Sequence, residues 1–233
     1  MSTAAILLAG GSGSRLRRSE NKVFVAVGGS PLITWTVRAF AACEAIDELV
    51  VVTRAGERAR LAAVLAGEEV PVPLRTAHGG RTRSDSELSG LAALADDIDA
   101  GVVDVVLIHD AARPFVSPSL IAEIADTARR FGGAVPTLPM DEGVYRLTPN
   151  GGITDEPGNL HRAQTPQGFR ARQLLDAYRR SAQDDFHGVD TAQTVERYTD
   201  LDVAVVAGEP TNIKVTYADD LESADEIAAA RRA

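Results

Sequence analysis

A glycine-rich segment near the N-terminus has the residue types of a phosphate-binding loop. Residues 8–15 read LAGGSGSR, and Lys22 follows them. Glycines let the backbone approach a ligand so that successive N–H groups converge on an anion, and Arg15 and Lys22 add positive charge. The segment lacks both the G-x-G-x-x-G spacing of dinucleotide-binding folds and the G-K-[ST] of the P-loop. On this loop alone, a tight turn that binds nothing stays an alternative.

A second candidate lies at residues 109–114, HDAARP, directly after the apolar segment VVDVVLI. Asp110 offers a hard carboxylate at a strand end, which suits Mg²⁺, an ion that keeps several waters and takes its other ligands from phosphates. The alternatives for Asp110 are a helix cap or an ion pair with Arg113. The other histidines show no zinc-ligand spacing around His109, so a packed, hydrogen-bonded histidine is the better interpretation.

Two later segments carry further polar groups. Lys214 lies in TNIKVT at 211–216, a strand-like segment, where it is either solvated at a sheet edge or a point charge on phosphate. Thr165 begins TPQGF at 165–169, which is either a structural turn or a ligand contact.

The elements that must position these groups alternate between apolar strand patterns and helical patterns. Strands are predicted at 4–8, 48–53, 70–76, 102–108, 133–136 and 202–206, and helices at 31–40, 57–66, 84–94, 118–131, 171–181, 190–197 and 219–232. Ser84 and Glu87 are the predicted cap of the third helix. This alternation predicts an α/β fold, a Rossmann-like, mostly parallel sheet with helices on both faces. The loops after residues 8, 76 and 108 then lie at one edge, where such sheets bind ligands.

Residues 139–160 differ from the rest of the chain, because they are polar and rich in glycine and proline. Val144 to Leu147, the Asn150-Gly-Gly turn and Ile153 predict a β-hairpin. A hairpin that protrudes from an α/β domain is often a lid or a dimerisation arm. We therefore expect residues 1–233 to form one domain with an arm at 139–160.

Composition narrows the classes of function. Of 233 residues, 45% are hydrophobic and 24% charged, and the net charge is -9, which disfavours a nucleic-acid partner. No segment approaches the roughly 20 apolar residues that span a bilayer. The first strand begins within three residues of the N-terminus, without a charged leader, which predicts a cytoplasmic protein. Cys43, the single cysteine, lies in an apolar stretch and is predicted to be a buried thiol.

Taken in order along nearly the whole chain, these segments resemble one family, the 2-C-methyl-D-erythritol 4-phosphate cytidylyltransferases. Their relatives, the ribitol-5-phosphate cytidylyltransferases, share most of the signatures. The resemblance is carried by residues 9–15 with Lys22, by Gly79 and Gly80 with Arg83 and Ser86, and by 109–114, 163–167 and 212–216. It implies a nucleotidyltransferase domain, a β-arm that joins a homodimer, CTP as donor, a polyol phosphate as acceptor and Mg²⁺ as cofactor.

The resemblance also implies roles for individual residues. Arg15 and Lys22 would bind the triphosphate and its transition state, and Lys214 would stabilise charge at the α-phosphate. The nucleotide would be bound by Ala9, Gly10, Gly11, Gly80, Ser86 and Asp110, the last of which would also hold the metal. Arg113 and Thr165 would contact the acceptor. Since the acceptor is already an anion, positioning and charge stabilisation suffice without a general base.

The chain departs from the family pattern in places. Asn21 and Val23 flank the second lysine where the family has proline and glutamine. Gly143 stands where a threonine would touch the acceptor, and Pro157 where an arginine would bind its phosphate. Arg162 and Arg146 are the nearby cations that could take over.

The main hypothesis is cytidylyl transfer to 2-C-methyl-D-erythritol 4-phosphate, a step of isoprenoid precursor synthesis. The second is the same chemistry on ribitol 5-phosphate or another polyol phosphate, or a paralogue with reduced activity. A third is a nucleotide-binding scaffold without turnover, which would not need all of Arg15, Lys22, Asp110 and Lys214. A fourth, a sugar-1-phosphate nucleotidyltransferase, disagrees with the segments at 109–114 and 165–167.

Overall fold

The computed structural model describes residues 2–11, 21–140, 144–145, 148–150, 152 and 158–232. Within these ranges the strands are β1 (Ser2–Leu8), β2 (Ala26–Val27), β3 (Ser30–Pro31), β4 (Glu48–Thr53), β5 (Leu74–His78), β6 (Val103–Asp110), β7 (Gly132–Pro139), β8 (His161–Ala163), β9 (Gln167–Arg170) and β10 (Asp202–Ala207). The helices are α1 (Leu32–Ala41), α2 (Arg58–Leu65), α3 (Arg83–Ala92), α4 (Ala95–Asp99), α5 (Pro118–Phe131), α6 (Ala171–Gln183), α7 (Thr191–Tyr198) and α8 (Asp219–Ala230), and Lys22–Phe24 form a 3₁₀ turn.

The main sheet has the strand order β10-β7-β9-β6-β1-β4-β5, with β8 paired to β7. The pairs β6–β1, β1–β4, β4–β5 and β10–β7 are parallel, whereas β9 runs antiparallel to both β6 and β7. In the parallel part, Leu8 is in register with both Val52 and Asp110. The loop that follows β1 therefore begins beside Asp110, at the carboxyl edge of the sheet.

The residues of β1 alternate between two helical layers. Ala5 and Leu7 pack into an apolar cluster with residues of α1 and α5, while Ala4 and Ile6 pack into a second cluster with residues of α3 and α6. The strand is buried along most of its length, as expected for a parallel sheet covered on both faces. The predicted α/β class and mostly parallel sheet are confirmed.

A smaller cluster joins the C-terminal helix to the two-stranded β2–β3 sheet. Val27, Leu32, Phe115 and Val215 pack against Ala224 and Ala228 of α8. Val215 is fully buried there and immediately follows Lys214. The C-terminal helix thus anchors the segment that carries this lysine.

Several local predictions need correction. The cap of α3 is Thr82 and not Ser84, because Thr82 Oγ1 accepts from Asp85 N at 3.0 Å while an Asp85 carboxylate oxygen accepts from Thr82 N at 2.9 Å. Strand β5 begins only at Leu74, since the prolines before it lack the N–H that a ladder requires. Residues 212–216 form no strand, although they were expected to be strand-like.

The predicted hairpin lies mostly outside the described residues. Its base is visible, because β7 and β8 are antiparallel, with Pro139 opposite His161, and Met140 N donates to Leu160 O at 3.0 Å. At the predicted turn, Thr148 N donates to Gly152 O at 2.8 Å. The two ends of the 139–160 segment therefore lie side by side. Across the part of the chain described, no helix has the length and apolar character needed to cross a membrane.

Candidate functional site

A cleft of about 510 Å³ opens at the carboxyl edge of the sheet. Its walls come from the loop after β1, the loop after β4, the N-terminal turn of α3, the end of β6 and the segment before α8. The lining residues are Leu8, Gly10, Gly11, Lys22, Val23, Arg54, Gly80, Arg81, Thr82, Arg83, Ser86, Asp110, Ala112, Lys214 and Thr216. The structure thus brings together most of the residues proposed to bind the nucleotide.

Asp110 lies at the end of β6 between two cations. Lys214 Nζ is 2.5 Å from Asp110 Oδ2, and Arg83 Nη1 forms an ion pair with Asp110 Oδ1. Burial alone would raise the pKa of Asp110, but Arg83 and Lys214 outweigh it and hold that pKa well below its usual range. Asp110 is therefore an ionised carboxylate, and its ion pairs are to Arg83 and Lys214 rather than to Arg113, the partner considered as an alternative.

Lys214 is positioned by its neighbours on both sides. The Asn212 side chain is fully buried and donates to Thr165 O at 2.9 Å, and Val215 N donates to Ala112 O at 2.9 Å. An Asp220 carboxylate oxygen then accepts from Thr216 N at 2.6 Å. The segment is fixed without belonging to the sheet, which is why a strand pattern was a poor guide to it.

Lys22 lines the cleft next to the segment of Lys214. Its Nζ donates to Val215 O at 2.9 Å. The preceding Asn21, which departs from the family pattern, is buried and donates through Nδ2 to Ala9 O at 2.6 Å and to Glu57 Oε2 at 2.8 Å. This asparagine therefore fastens the turn of Lys22 to the end of the glycine loop.

The described part of the glycine loop leaves space for a ligand. Ala9 is buried, and its N–H donates to Val52 O at 2.7 Å. At Gly10, an added Cβ would meet no heavy atom of the described residues within 4 Å, and at Gly11 the nearest is Lys22 Cε at 3.6 Å. Packing among the described residues does not demand glycine at either position, which suits a backbone approached by a ligand. Arg15 lies outside the described residues.

The N-terminal turn of α3 also lines the cleft. Gly80 N donates to Ser86 Oγ at 3.2 Å, and that hydroxyl donates to Thr82 O at 2.9 Å. An added Cβ on Gly80 would lie 2.1 Å from Asp85 Cβ, so this glycine is required by the capping residues of α3. Gly80 and Ser86, both predicted to bind the nucleotide, therefore share one tight turn.

The two residues predicted to bind the acceptor lie behind Asp110 and do not line the cleft. Thr165 is buried, and its Oγ1 accepts from Asp110 N at 3.1 Å and lies 3.1 Å from His109 Nδ1. Arg113 Nη1 donates to Asn212 O at 2.8 Å, and burial lowers the pKa of its guanidinium. In this structure both side chains support the site.

Sequence reasoning gave no role to three cations that line the cleft, Arg54, Arg81 and Arg83. Arg83 was noted only as part of the family pattern, yet it binds Asp110 directly. Arg54 follows β4 and donates through Nε to Gly10 O at 3.0 Å, which supports the glycine loop. The position of Arg54 directly after a buried strand could have identified it as a site residue, since parallel strands end at the same edge of the sheet.

A resident metal centre built from several acidic or histidine ligands is absent from the described residues, where no group of three such side chains could hold an ion. Asp110 is the carboxylate that lines the cleft, and both its oxygens contact cations. One carboxylate fits a Mg²⁺ ion that arrives on a nucleotide and takes its other ligands from phosphates and water.

The sheet, the glycine loop and the cations around Asp110 together define an α/β nucleotidyltransferase. A profile of the family IspD, 2-C-methyl-D-erythritol 4-phosphate cytidylyltransferase, matches residues 3–230. The chain belongs to this family, and the resemblance noted from the sequence motifs is confirmed.

Individual relatives agree with this assignment. The chain is 34% identical to the 2-C-methyl-D-erythritol 4-phosphate cytidylyltransferase of Geobacillus kaustophilus, over 100% of both sequences. It is 39% identical to a bifunctional enzyme IspD/IspF of Anaeromyxobacter, covering 96% of this chain but 56% of that protein, so it spans about half of the bifunctional relative. The crystal structure of 4-diphosphocytidyl-2C-methyl-D-erythritol synthase from Anaerococcus prevotii matches with a TM-score of 0.85 at 26% identity, covering 98% of this chain and 96% of that one.

Proposed function

We propose that this chain transfers the cytidylyl group of CTP to 2-C-methyl-D-erythritol 4-phosphate and releases pyrophosphate. The observation that carries the proposal is the ionised Asp110, held between Arg83 and Lys214 in a cleft that also contains Lys22 and the glycine loop. Family membership supplies the substrates, since the full-length relatives are named for this acceptor rather than for ribitol phosphate.

The donor half rests on charge. The chain carries a net charge of -9, so a triphosphate is attracted only where cations are concentrated. Lys22, Arg83 and Lys214 all line the same cleft. Gly10 and Gly11 would let the backbone N–H groups approach the phosphates, and the turn at Gly80 and Ser86 would contact the cytosine.

The chemical step requires little covalent work from the protein. A phosphate oxygen of the acceptor attacks the α-phosphorus, a new P–O bond forms, and the bond to the leaving pyrophosphate breaks. Negative charge accumulates on the phosphorus oxygens and on the leaving group. Cations held in advance stabilise that charge without reorganisation, so Lys22 and Lys214, with Arg15 from the loop, are the proposed catalytic groups.

Mg²⁺ is part of the proposal. Asp110 is the residue that would hold it, because it is the carboxylate among the described residues that line the cleft. When bound, Mg²⁺ would neutralise phosphate charge and orient the triphosphate. Lys214, which lines the same cleft, is the proposed cation at the α-phosphate.

We propose that the arm at residues 139–160 contributes to the acceptor site. Arg113 and Thr165 lie behind Asp110, and Gly143 and Pro157, which replace expected acceptor contacts, fall outside the described residues. We infer that residues 139–160 form an arm that joins a homodimer, supported by the antiparallel strands at its base.

A cytoplasmic location is also proposed, because the one cysteine, Cys43, is a free buried thiol, which suits a reducing compartment.

Pyrophosphate release tests the proposed function. The assay contains CTP, Mg²⁺ and either 2-C-methyl-D-erythritol 4-phosphate or ribitol 5-phosphate at equal concentration. We expect turnover with the first acceptor at a kcat/KM at least tenfold above that with the second. Preference for ribitol 5-phosphate would overturn the acceptor assignment, and CTP binding without release from either would favour the scaffold hypothesis.

The same assay tests the role of Lys214. Lys214→Met keeps the stem and removes the charge, so kcat should fall by roughly 10²-fold or more, the loss typical for one electrostatic donor. Retention of full activity by Lys214→Met would remove this lysine from the mechanism. Arg75→Met is the control outside the cleft, at a half-exposed arginine that is ion-paired with Asp97 and with the buried Glu48.

A further inference from the structure

Behind Asp110, the ion pairs of the cleft continue into the protein interior. Arg83 forms an ion pair with Asp110 through Nη1, and its Nε lies 3.1 Å from Glu87 Oε1, one helical turn further along α3. Charges therefore alternate from Lys214 through Asp110 and Arg83 to Glu87. The first three residues line the cleft, whereas Glu87 does not.

Glu87 is fixed from its far side by two hydroxyl groups. Tyr178 OH, on α6, donates to Glu87 Oε2 at 2.7 Å, and Thr191 Oγ1, at the start of α7, donates to Glu87 Oε1 at 2.7 Å. The glutamate is 1% exposed and Tyr178 is fully buried. Three helices thus hold this carboxylate in one place.

The arrangement constrains Arg83 strongly. Burial raises the pKa of Glu87, and the guanidinium of Arg83 is the charge that opposes this effect most. A buried carboxylate that loses its cationic partner is costly, so Arg83 cannot leave Glu87 without a large penalty. Arg83 Nη2 is buried and has no hydrogen-bond partner among the described residues. The ion pairs to Glu87 and Asp110 on its two sides therefore determine where the guanidinium lies.

We propose that Glu87 is a positioning residue for cytidylyl transfer, acting through Arg83 on the Asp110–Lys214 pair; the inference rests on the proposed function. Glu87 touches no atom of the substrates. It fixes the guanidinium on one oxygen of Asp110, which keeps the other oxygen directed to Lys214 or to an incoming ion. If Glu87 only neutralised the buried charge of Arg83, its loss would lower stability alone. A positioning role predicts that its loss also lowers kcat.

Glu87→Gln tests the proposal, since it keeps the size of the side chain and removes its charge. We expect kcat to fall about tenfold, the lower end of the loss seen when a group that orients a ligating side chain is removed. KM for CTP should change less than threefold. In an Arg83→Met background the same substitution should cause little further loss, because Glu87 acts through Arg83.

A second variant and a control separate positioning from folding. Tyr178→Phe retains the charge of Glu87 and removes one donor, so a smaller fall in kcat, about threefold, is expected. Glu48→Gln alters another buried glutamate paired with an arginine, Arg75, outside the cleft. It should lower the melting temperature and leave kcat unchanged.

Unchanged kcat in Glu87→Gln and Tyr178→Phe, with a lower melting temperature, would overturn the proposal. So would additive losses for Glu87→Gln and Arg83→Met. Crystal structures of wild type and Glu87→Gln give a readout independent of activity: the Arg83 guanidinium should change its position relative to Asp110 in the variant, and an unchanged Arg83–Asp110 geometry would also overturn the proposal. An inactive wild type would instead refute the proposed function, while the structures would still decide whether Glu87 holds Arg83.

Discussion

His109 and Asp110 are adjacent at the end of β6, and the pKa of each is lowered, yet Asp110 is charged at neutral pH and His109 is not. Asp110 faces two cations and stays ionised. His109 is fully buried; its Nε2 lies 3.0 Å from Arg113 O, a carbonyl that only accepts, and its Nδ1 lies 3.1 Å from Thr165 Oγ1. These partners fit a neutral ring protonated on Nε2. Burial lowers the pKa of His109 to about 4.

This depressed pKa predicts how stability depends on pH. The unfolded chain binds a proton at His109 below about pH 6.5, whereas the folded chain does so only below about pH 4. Stability is therefore retained above pH 6.5 and lost as the pH falls towards 4. Between pH 7 and pH 5 the free energy of unfolding should decrease by about 2 kcal/mol from this group. Urea denaturation at the two pH values measures it.

The control for this prediction is His109→Gln, which cannot titrate. Its free energy of unfolding should be lower at pH 7 but should change less with pH over the same range. The number of protons taken up on unfolding should be smaller than in the wild type, by up to one. Identical pH dependence in the variant and the wild type would contradict a buried neutral histidine.

At this scale the sequence identified the chemistry of the site but not its contacts. Asp110 was predicted to be important because carboxylates at strand ends bind metal ions, and the structure places it in the cleft. Arg113, three residues away, was the ion-pair partner considered as an alternative, but it donates to Asn212 O instead. The actual partners, Arg83 and Lys214, are 27 and 104 residues away in sequence. Local patterns do not report contacts at such separation.

Among the elements, two glycines in neighbouring loops have different reasons for being glycine. Gly10 faces space that the described residues leave open, whereas Gly80 lies against the capping residues of α3. Gly10→Ala should therefore keep the melting temperature within about 1 °C. It should weaken CTP binding about tenfold or more, since a methyl group in a close contact costs about 1–3 kcal/mol.

Gly80→Ala provides the contrast. Its Cβ would lie 2.1 Å from Asp85 Cβ, so the loop or the helix must move. We expect a loss of about 1–3 kcal/mol of stability. Calorimetry on both variants, with isothermal titration of CTP, separates the two effects. A destabilised Gly10→Ala with normal affinity would refute the assignment of that space to the ligand.

Elements with a strong pattern were predictable, and the others were not. The sequence predicted β4 and α5 with the bounds the structure has, because a continuous apolar run and a Ser-Pro helix start are unambiguous. It missed β9, in the middle of the sheet, because four residues after a Thr-Pro turn carry too little periodicity. The cap of α3 was misassigned because Ser84 and Glu87 match the capping pattern as well as Thr82 and Asp85 do. Glu87 is buried and binds Arg83, Tyr178 and Thr191 instead.

For the whole molecule, the site exists only once the sheet has assembled. The strand order places β1 between β6 and β4, which brings the glycine loop, Asp110 and Arg54 to one edge. The C-terminal segment then adds Lys214 from beyond the sheet, held by Asp220 and the α8 cluster. The α/β class followed from alternation alone. The antiparallel direction of β9 and the anchoring of the Lys214 segment by α8 depend on tertiary packing, which no local pattern encodes.

Because the cleft is formed by distant parts of the chain, nucleotide binding should stabilise the whole fold. CTP with Mg²⁺ at about 100 times its Kd contributes about 2.7 kcal/mol, which for a chain of this size raises Tm by roughly 5–10 °C. Cytidine at the same concentration should give a much smaller shift, since in a chain of net charge -9 the affinity comes from cations on the triphosphate. Lys214→Met should reduce the CTP shift and leave the cytidine shift unchanged. Scanning calorimetry measures all of these shifts, and equal shifts for CTP and cytidine would show that the cations of the cleft do not carry the binding.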